Sequence, residues 1–418
     1  MGSYDTDFHP RWPKDPFKDP FRVQSLKGLW RYWMRAYVAG ALYELGLLRP
    51  SPSRSMVREL DRDSMSRLLR LVQNLLGGPA GPASRFRIVA RVSRLQSGQV
   101  PSSHPASRVQ RVRLLTMSRR RGRRRYAFAD QLEVTLRVEV SPHATLRGGL
   151  RDCEILLGIG SLLTALSLNG LGKMGRRGFG TFSVAIREGA REFRRFTDRR
   201  GVLDVKVIGK VVDITLRSAI EYVESLHSER GQFRGLPPLS SVSRLRIDPS
   251  HYGVKLEKEP IILKKGVPVF SIHLVSIGGR GVMRALEELQ DFFYRPGRIR
   301  RLYGSPTATT RYGHAQDFLT SNKYCWYLGL PRSQRGTGYI SRAERRASPL
   351  HLAVHREAAL ITSLLSTDWP KEIRWKGGGV SRTITLSEAM LVKTHCEVLA
   401  YLEEYVGKLG YSYRVVYP

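Results

Sequence analysis

Leu132-Glu133-Val134-Thr135-Leu136-Arg137-Val138-Glu139-Val140 alternates apolar and polar side chains without a break, the period of a strand with one buried face. After this strand come a helical stretch from about Cys153 to Asn169, a glycine-rich loop over 170–180 and a β-like run from Thr181 to Ile186. Before it, 84–95 and 107–117 read as further β-rich segments, with Gly, Pro and Ser between them. Earlier still, Leu29, Trp30, Trp33, Met34, Tyr37, Val38, Ala41, Leu42 and Leu45 recur at the spacing of one helical face. That pattern predicts a helix to about Leu48, beginning at Ser25, a residue type able to cap it. Helix, strands, helix, strand is what a βαββαβ unit leaves when its opening strand is faint.

A second cycle of the same kind follows. Val202 to Leu216 is β-like and Arg217 to Arg230 helical; 244–248 and 267–277 are β-like and 281–294 helical. Tyr324–Leu328 and Leu350–Arg356 read as strands, and Leu386–Lys408 as a helix. The repetition is coarse, with no residue-level repeat. The charged stretch at 188–201 reads as a linker, which divides the chain into a Pro-rich segment 1–22, a first domain 23–190 and a second domain 200–418. A chain of 418 residues with 41% hydrophobic residues can bury two cores.

Charge narrows the function. Seventy Lys plus Arg stand against 36 Asp plus Glu, a formal net charge of +34. Of the cations 55 are Arg and 15 Lys, a preference for the planar fork that grips phosphate and stacks on bases. A polyanionic partner is the expectation. Residues 64–129 hold 15 Arg and no acid, among them Arg119-Arg120-Arg121-Gly122-Arg123-Arg124-Arg125, which reads as a nucleic-acid arm with Arg120 and Arg124 as contacts. The three cysteines, Cys153, Cys325 and Cys396, are too far apart for a disulfide framework or a cysteine-rich zinc site. With no run of about 18 apolar residues and no signal-peptide pattern, the expectation is a cytoplasmic protein without membrane contact.

Two constellations carry the chemistry. Lys27, Arg31 and Arg35, four residues apart, set three cations on one stripe of the first helix, where they repel one another unless a polyanion lies across them. The second is Gly170-Leu171-Gly172-Lys173-Met174-Gly175-Arg176-Arg177-Gly178-Phe179-Gly180. It opens as G-x-G-x-x-G, but it follows a helix and enters a strand, the reverse of a dinucleotide site, and Met174 after Lys173 excludes a phosphate loop of the G-K-[ST] type. The expectation left is a backbone that comes close to a ligand, with free amides and cations for phosphate.

The run Ser25-Leu26-Lys27-Gly28-Leu29-Trp30-Arg31-Tyr32-Trp33-Met34-Arg35-Ala36 resembles the S-x-K-G-x-x-R-x-W-x-R signature of a RAMP-superfamily subunit, the one that caps an end of the Cmr, type III-B, CRISPR effector complex. Arg176-Arg177-Gly178-Phe179-Gly180-Thr181-Phe182 is similar to that family's glycine-rich loop. So, further on, is Leu328-Gly329-Leu330-Pro331 with Arg345-Arg346-Ala347-Ser348-Pro349-Leu350. The three matches span about 25–350 in order. The resemblance implies an α+β chain of two ferredoxin-like (RRM-like, βαββαβ) domains with insertions, without an active site or cofactor. It also implies partners: the 3′ part of a CRISPR RNA, its target RNA and other RAMP subunits. By position it implies RNA contacts at Lys27, Arg31, Trp33, Arg35, Lys173, Gly175, Arg176, Arg177, Gly178, Phe179 and Gly180. Charge alone adds the cluster Arg332, Arg335, Arg342, Arg345 and Arg346. The family opens with an apolar strand, whereas residues 1–22 are rich in proline, so either the start of the gene is misplaced or the first domain has lost or replaced that strand.

The alternative is a RAMP-type endoribonuclease that processes CRISPR repeat RNA with a histidine base. None of the ten histidines has an evident catalytic partner in the sequence, and no paired carboxylates with metal-ligand spacing occur. His351 and His355 lack the Glu of H-E-x-x-H and fall in a predicted strand, and Glu287-Glu288 and Glu403-Glu404 read as solvated helix faces.

Overall fold

The computed structural model describes residues 21–78, 81–99, 127–146, 148–171, 175–255, 261–294, 325–329, 332–334, 337–340, 347–377 and 380–418. The apolar stripe near the start forms α1 (Val23–Glu44), in which Trp30, Trp33, Met34, Tyr37 and Leu42 are at most 2% exposed. The N-cap is Arg22, without a side-chain bond, so Ser25 lies within the helix and not at its cap. Burial holds this helix, at about 1.5–3 kcal/mol for each large apolar side chain.

A small ribbon, Pro50–Ser51 with Glu59–Leu60, leads to α2 (Arg62–Leu76), capped by Asp61, which accepts from Ser64 N at 2.8 Å. The quoted strand lies within β2 (Ala127–Val140), antiparallel to β1 (Phe86–Gln99) from Phe86↔Val140 to Gln99↔Ala127. Ile88 and Ala90 pair with Val138 and Leu136 on the inner face, and Arg87 and Arg91 point outward. The expected strand at 107–117 and the arm with Arg120 and Arg124 lie outside the described residues.

Helix α3 (Asp152–Leu168) crosses α1, held by Trp30 Nε1 donating to Gly158 O and Ser161 Oγ, both at 2.9 Å, and by Tyr37 OH against Thr164 Oγ1 at 2.7 Å. The run from Val202 to Leu216 is not β. It is a 3-10 turn, Val205–Val207, that enters α4 (Ile208–Glu224). Ile208, Val211, Val212, Thr215, Leu216, Ala219, Tyr222 and Val223 form one buried helical stripe, and packing overrides the β-branched preference of the segment. At Gly160 a Cβ would lie 2.0 Å from Thr215 Oγ1, so the glycine is what admits α4 against α3. Thr181–Ile186 is not a ladder strand either, since among the described residues its pairing is the single bridge Ala185↔Val202. Within 188–201, Arg191–Arg194 is a short helix with Phe193 fully buried.

The later half contains β3 (Phe270–Ser276), α5 (Val282–Tyr294), β4 (Arg332–Gln334), β5 (Thr337–Ile340), β6 (Leu350–Val354), β7 (Ala358–Leu364), β8 (Glu372–Gly377), β9 (Val380–Thr385), α6 (Glu388–Lys408) and β10 (Ser412–Tyr417). Where it is described, the expected strand at Tyr324–Leu328 is a 3-10 turn, Cys325–Leu328. One antiparallel sheet runs β6-β7-β3-β10. With α5 and α6 between its strands, and its last strand beside its first, it is one βαββαβ unit. A second sheet runs β9-β8-β5-β4. Strands β3, β6 and β7 are buried at nearly every residue, because helices cover both faces and there is no solvent side to favour alternation. Phe270 meets Trp33 of α1 at 6.1 Å on one face, and His273 lies near His395 of α6 on the other. The chain is α+β, as expected. No helix among the described residues is long and apolar enough to cross a membrane.

Candidate nucleic-acid interface

Two chain segments about three hundred residues apart are stitched side by side. Met56 bridges Pro370, Val57 N donates to Trp369 O and Lys371 N to Ser55 O, both at 2.8 Å, and Arg58 N donates to Thr367 O at 3.3 Å. Beside this seam, α1 supplies Tyr32 and Arg35, the glycine-rich loop supplies Arg176, and β8 and β9 supply Arg374 and Thr383. Together they enclose a cleft of about 1040 Å³. Its cations are Arg35, Arg54, Arg58, Arg176, Lys371 and Arg374, against Glu59, Asp368 and Glu372, a lining charge of 6 − 3 = +3.

Arg58 is paired with Glu388 at 2.8 Å, and Glu59 accepts from the Ser53 and Ser55 hydroxyls. The side chains of Arg35, Arg54, Arg176, Lys371 and Arg374 make no hydrogen bond or ion pair with described residues. Unpaired like charges around one concavity repel one another and concentrate a positive field, a surface suited to a polyanion.

The glycine-rich loop closes on itself. Gly170 N donates to Gly175 O at 2.7 Å and Leu171 N to Gly180 O at 3.0 Å. A Cβ on Gly170 would stand 1.7 Å from Phe179 O, and one on Gly180 (φ +66°) would stand 2.2 Å from Leu171 O. These glycines therefore serve the loop's own packing, where the sequence pointed to amides free for a ligand. Gly175 and Gly178 are buried, Gly178 (φ +87°) against Leu286, Val354 and Leu352, while Phe179 is half-buried and Gly180 exposed.

The two adjacent arginines part company. Arg176 lays its guanidinium over the Tyr32 ring, Cζ 4.8 Å from the centroid, at the cleft. Arg177 turns inward: it donates to Leu328 O at 2.8 Å and Leu350 O at 3.3 Å and covers the Phe293 ring at 4.5 Å. Leu352 N donates to Arg176 O at 3.1 Å and Gln290 Nε2 to Arg177 O at 2.5 Å, which fixes the loop to β6 and α5. Arg177 is thus a clamp within the fold.

Of the helix stripe, only Arg35 reaches the cleft. Arg31 is exposed and donates to Leu76 O at 3.1 Å, at the end of α2, and Lys27 is half-buried. Trp33 corrects the expectation most plainly. It is 0% exposed and donates to Asn169 Oδ1 at 2.8 Å, so its ring is core and meets no base in this conformation. Lys173, Arg120, Arg124, Arg335, Arg342, Arg345 and Arg346 lie outside the described residues, as does the side chain of Arg332. Ala347, directly after Arg346, lines the cleft. Tyr32, Arg54, Arg58, Lys371 and Arg374 were not singled out from the sequence.

No histidine is among the cleft's lining residues. His351 is buried against Trp33, and His355 pairs with Ser167 O at 2.8 Å. His273 and His395 are pushed down to about 3 by burial, with each other's proximity adding at His273. Among the described residues no group of three His, Cys, Asp or Glu could hold a metal ion. The cleft offers charge and an aromatic face.

No known protein family matches the chain by sequence, and no curated protein sequence matches it. By shape, the fold is similar to that of Cmr1. The apo crystal structure of Cmr1 from Pyrococcus furiosus matches with a TM-score of 0.51 at 14% identity, over 94% of this chain and 90% of that one. A cryo-EM structure of the Type III-B Cmr-beta bound to cognate target RNA matches with a TM-score of 0.40 at 10% identity, over 91% and 93%.

Proposed function

We propose that the chain is a non-catalytic RNA-binding subunit of a type III-B CRISPR ribonucleoprotein, holding the 3′ part of the CRISPR RNA and the paired target RNA at one end, among other RAMP subunits. The observation that carries this reading is the cleft itself. Arg35 from the signature helix and Arg176 from the glycine-rich loop, about 140 residues apart, meet around Tyr32 with three further unpaired cations. Single-stranded RNA fits such a surface because phosphates follow the cations while bases find an aromatic face. The ordered signatures and the fold shared with Cmr1 supply the biological setting. The first half of the chain, where α1, β1, β2 and α3 follow in sequence with α2 inserted after α1, is then read as a second ferredoxin-like unit, whose opening strand would fall outside the described residues.

Anisotropy of a labelled single-stranded RNA at rising salt tests the proposal. Affinity falls with a log–log slope of about −0.7 per phosphate held. Arg35→Ala combined with Arg374→Ala makes that slope shallower by about 1.4. A salt-independent affinity, or a double variant that binds as the unaltered protein does, overturns the reading. So do defined, metal-independent cuts in repeat RNA by the purified protein, which would make it the endoribonuclease.

A further inference from the structure

The five unpaired cations of the cleft are not alike. Four present charge alone, whereas Arg176 has its guanidinium over an aromatic ring. Its Cζ stands 4.8 Å from the Tyr32 centroid, and its guanidinium makes no hydrogen bond or ion pair among the described residues. Tyr32 in turn is braced by the ring edge of Trp33 at 5.7 Å and by His351 at 5.9 Å. Trp33 is pinned through Asn169, so this platform rests on the core. The main chain of Arg176 is fixed too, since its carbonyl accepts from Leu352 N.

A guanidinium with a ring on one side and no bond at its edges has two things left to offer: a planar face away from the ring and a fork of N–H donors. Both lie in a cleft whose other cations suit phosphates. We propose that Tyr32 and Arg176 form a nucleobase platform: one unstacked base of the bound strand lies against the guanidinium, while its N–H edge holds a neighbouring phosphate. The platform selects for the presence of a base and not for its identity, because every base has a π face. Arg35, Arg54, Lys371 and Arg374 act on the phosphates, so affinity and base sensing reside in different side chains of one cleft. The inference rests on reading the cleft as an RNA site and adds what one position of that RNA does there.

The test uses the full chain and short single-stranded RNAs that carry 2-aminopurine, or an abasic residue, at successive positions. At one position the 2-aminopurine fluorescence is quenched on binding, and an abasic residue there weakens binding roughly 5- to 150-fold, the range of base–aromatic stacking. Arg176→Lys keeps the charge and loses the plane, so the salt slope persists while the quench and the abasic penalty disappear. Tyr32→Leu does the same by freeing the guanidinium, and circular dichroism checks that it folds. If RNA binds with the expected salt slope but no position shows quench or penalty, the platform is wrong and the RNA site stands. A quench that survives Arg176→Lys also overturns the platform. If no RNA binds at all, the function fails first.

Discussion

Replacing Arg177 with Ala separates the clamp from the cleft. The guanidinium donates to Leu328 O at 2.8 Å and Leu350 O at 3.3 Å and covers Phe293. A charged donor on a part-buried carbonyl contributes about 1.5–3 kcal/mol and a cation over a ring about 0.5–2. Because the side chain is only half-buried and the longer bond is weak, the low ends apply and do not simply add. A loss of about 2–3 kcal/mol is expected. Arg176→Ala removes only the contact with Tyr32 and should change stability by less than about 1 kcal/mol. RNA affinity responds in the opposite order, falling more for Arg176→Ala. Urea unfolding followed by tryptophan fluorescence reads the difference, since Trp326 lies in the turn that Arg177 holds. Arg177→Lys, whose single ammonium lacks the planar fork, recovers only part of the loss. Equal unfolding midpoints for Arg177→Ala and the unaltered protein, or an equal loss in Arg176→Ala, would refute the division of labour.

Trp33→Phe keeps an aromatic ring in the core but leaves Asn169 Oδ1 without its indole donor. Stability should drop by about 1–3 kcal/mol by urea unfolding, while RNA affinity of the folded variant falls less than in Arg176→Ala; the reverse pattern would return Trp33 to the RNA surface. His273 and His395 stay neutral in the fold, held down to about 3 from an ordinary 6.5, whereas the unfolded chain protonates them. Stability is therefore complete above about pH 6.5 and declines as pH falls toward 3, with His355 shifted in the same direction. Urea midpoints should already fall between pH 6.5 and about 5, above the usual carboxylate range. A flat profile there would contradict the neutral buried rings.

What was legible in the sequence was whatever repeats locally. The stripe from Leu29 to Leu45 and the alternation over Leu132–Val140 are periodic patterns, and both elements formed where expected. The helix at Glu388–Lys408 begins within two residues of its expected start, with Ser387 accepting from Met390 N at 3.2 Å. Val202–Leu216 misled because Val205, Val207, Val211 and Val212 favour strands one residue at a time, while the deciding fact, a buried stripe against α1 and α3, is tertiary. The site divided in the same way. Arg35 and Arg176 stood out within motifs, but Arg54, Arg58, Lys371 and Arg374 lie in segments that also carry Glu59, Asp368 and Glu372, so no run of charge marks them. Only the pairing of Met56 with Pro370 makes them neighbours. Arg177 shows the converse: in the sequence it is indistinguishable from Arg176, and only the tertiary contacts set it apart, with its guanidinium on Leu328 O and Leu350 O while that of Arg176 lies over Tyr32.

The seam between residues 55–58 and 367–371 also orders events in time. During synthesis the near wall of the groove emerges first and the far wall, ending at Thr383, about three hundred residues later. Until then Arg35 and Arg54 face open solvent without the surface that completes their field. A product truncated before Lys371 therefore lacks the wall that completes the concave positive field around Arg35 and Arg54.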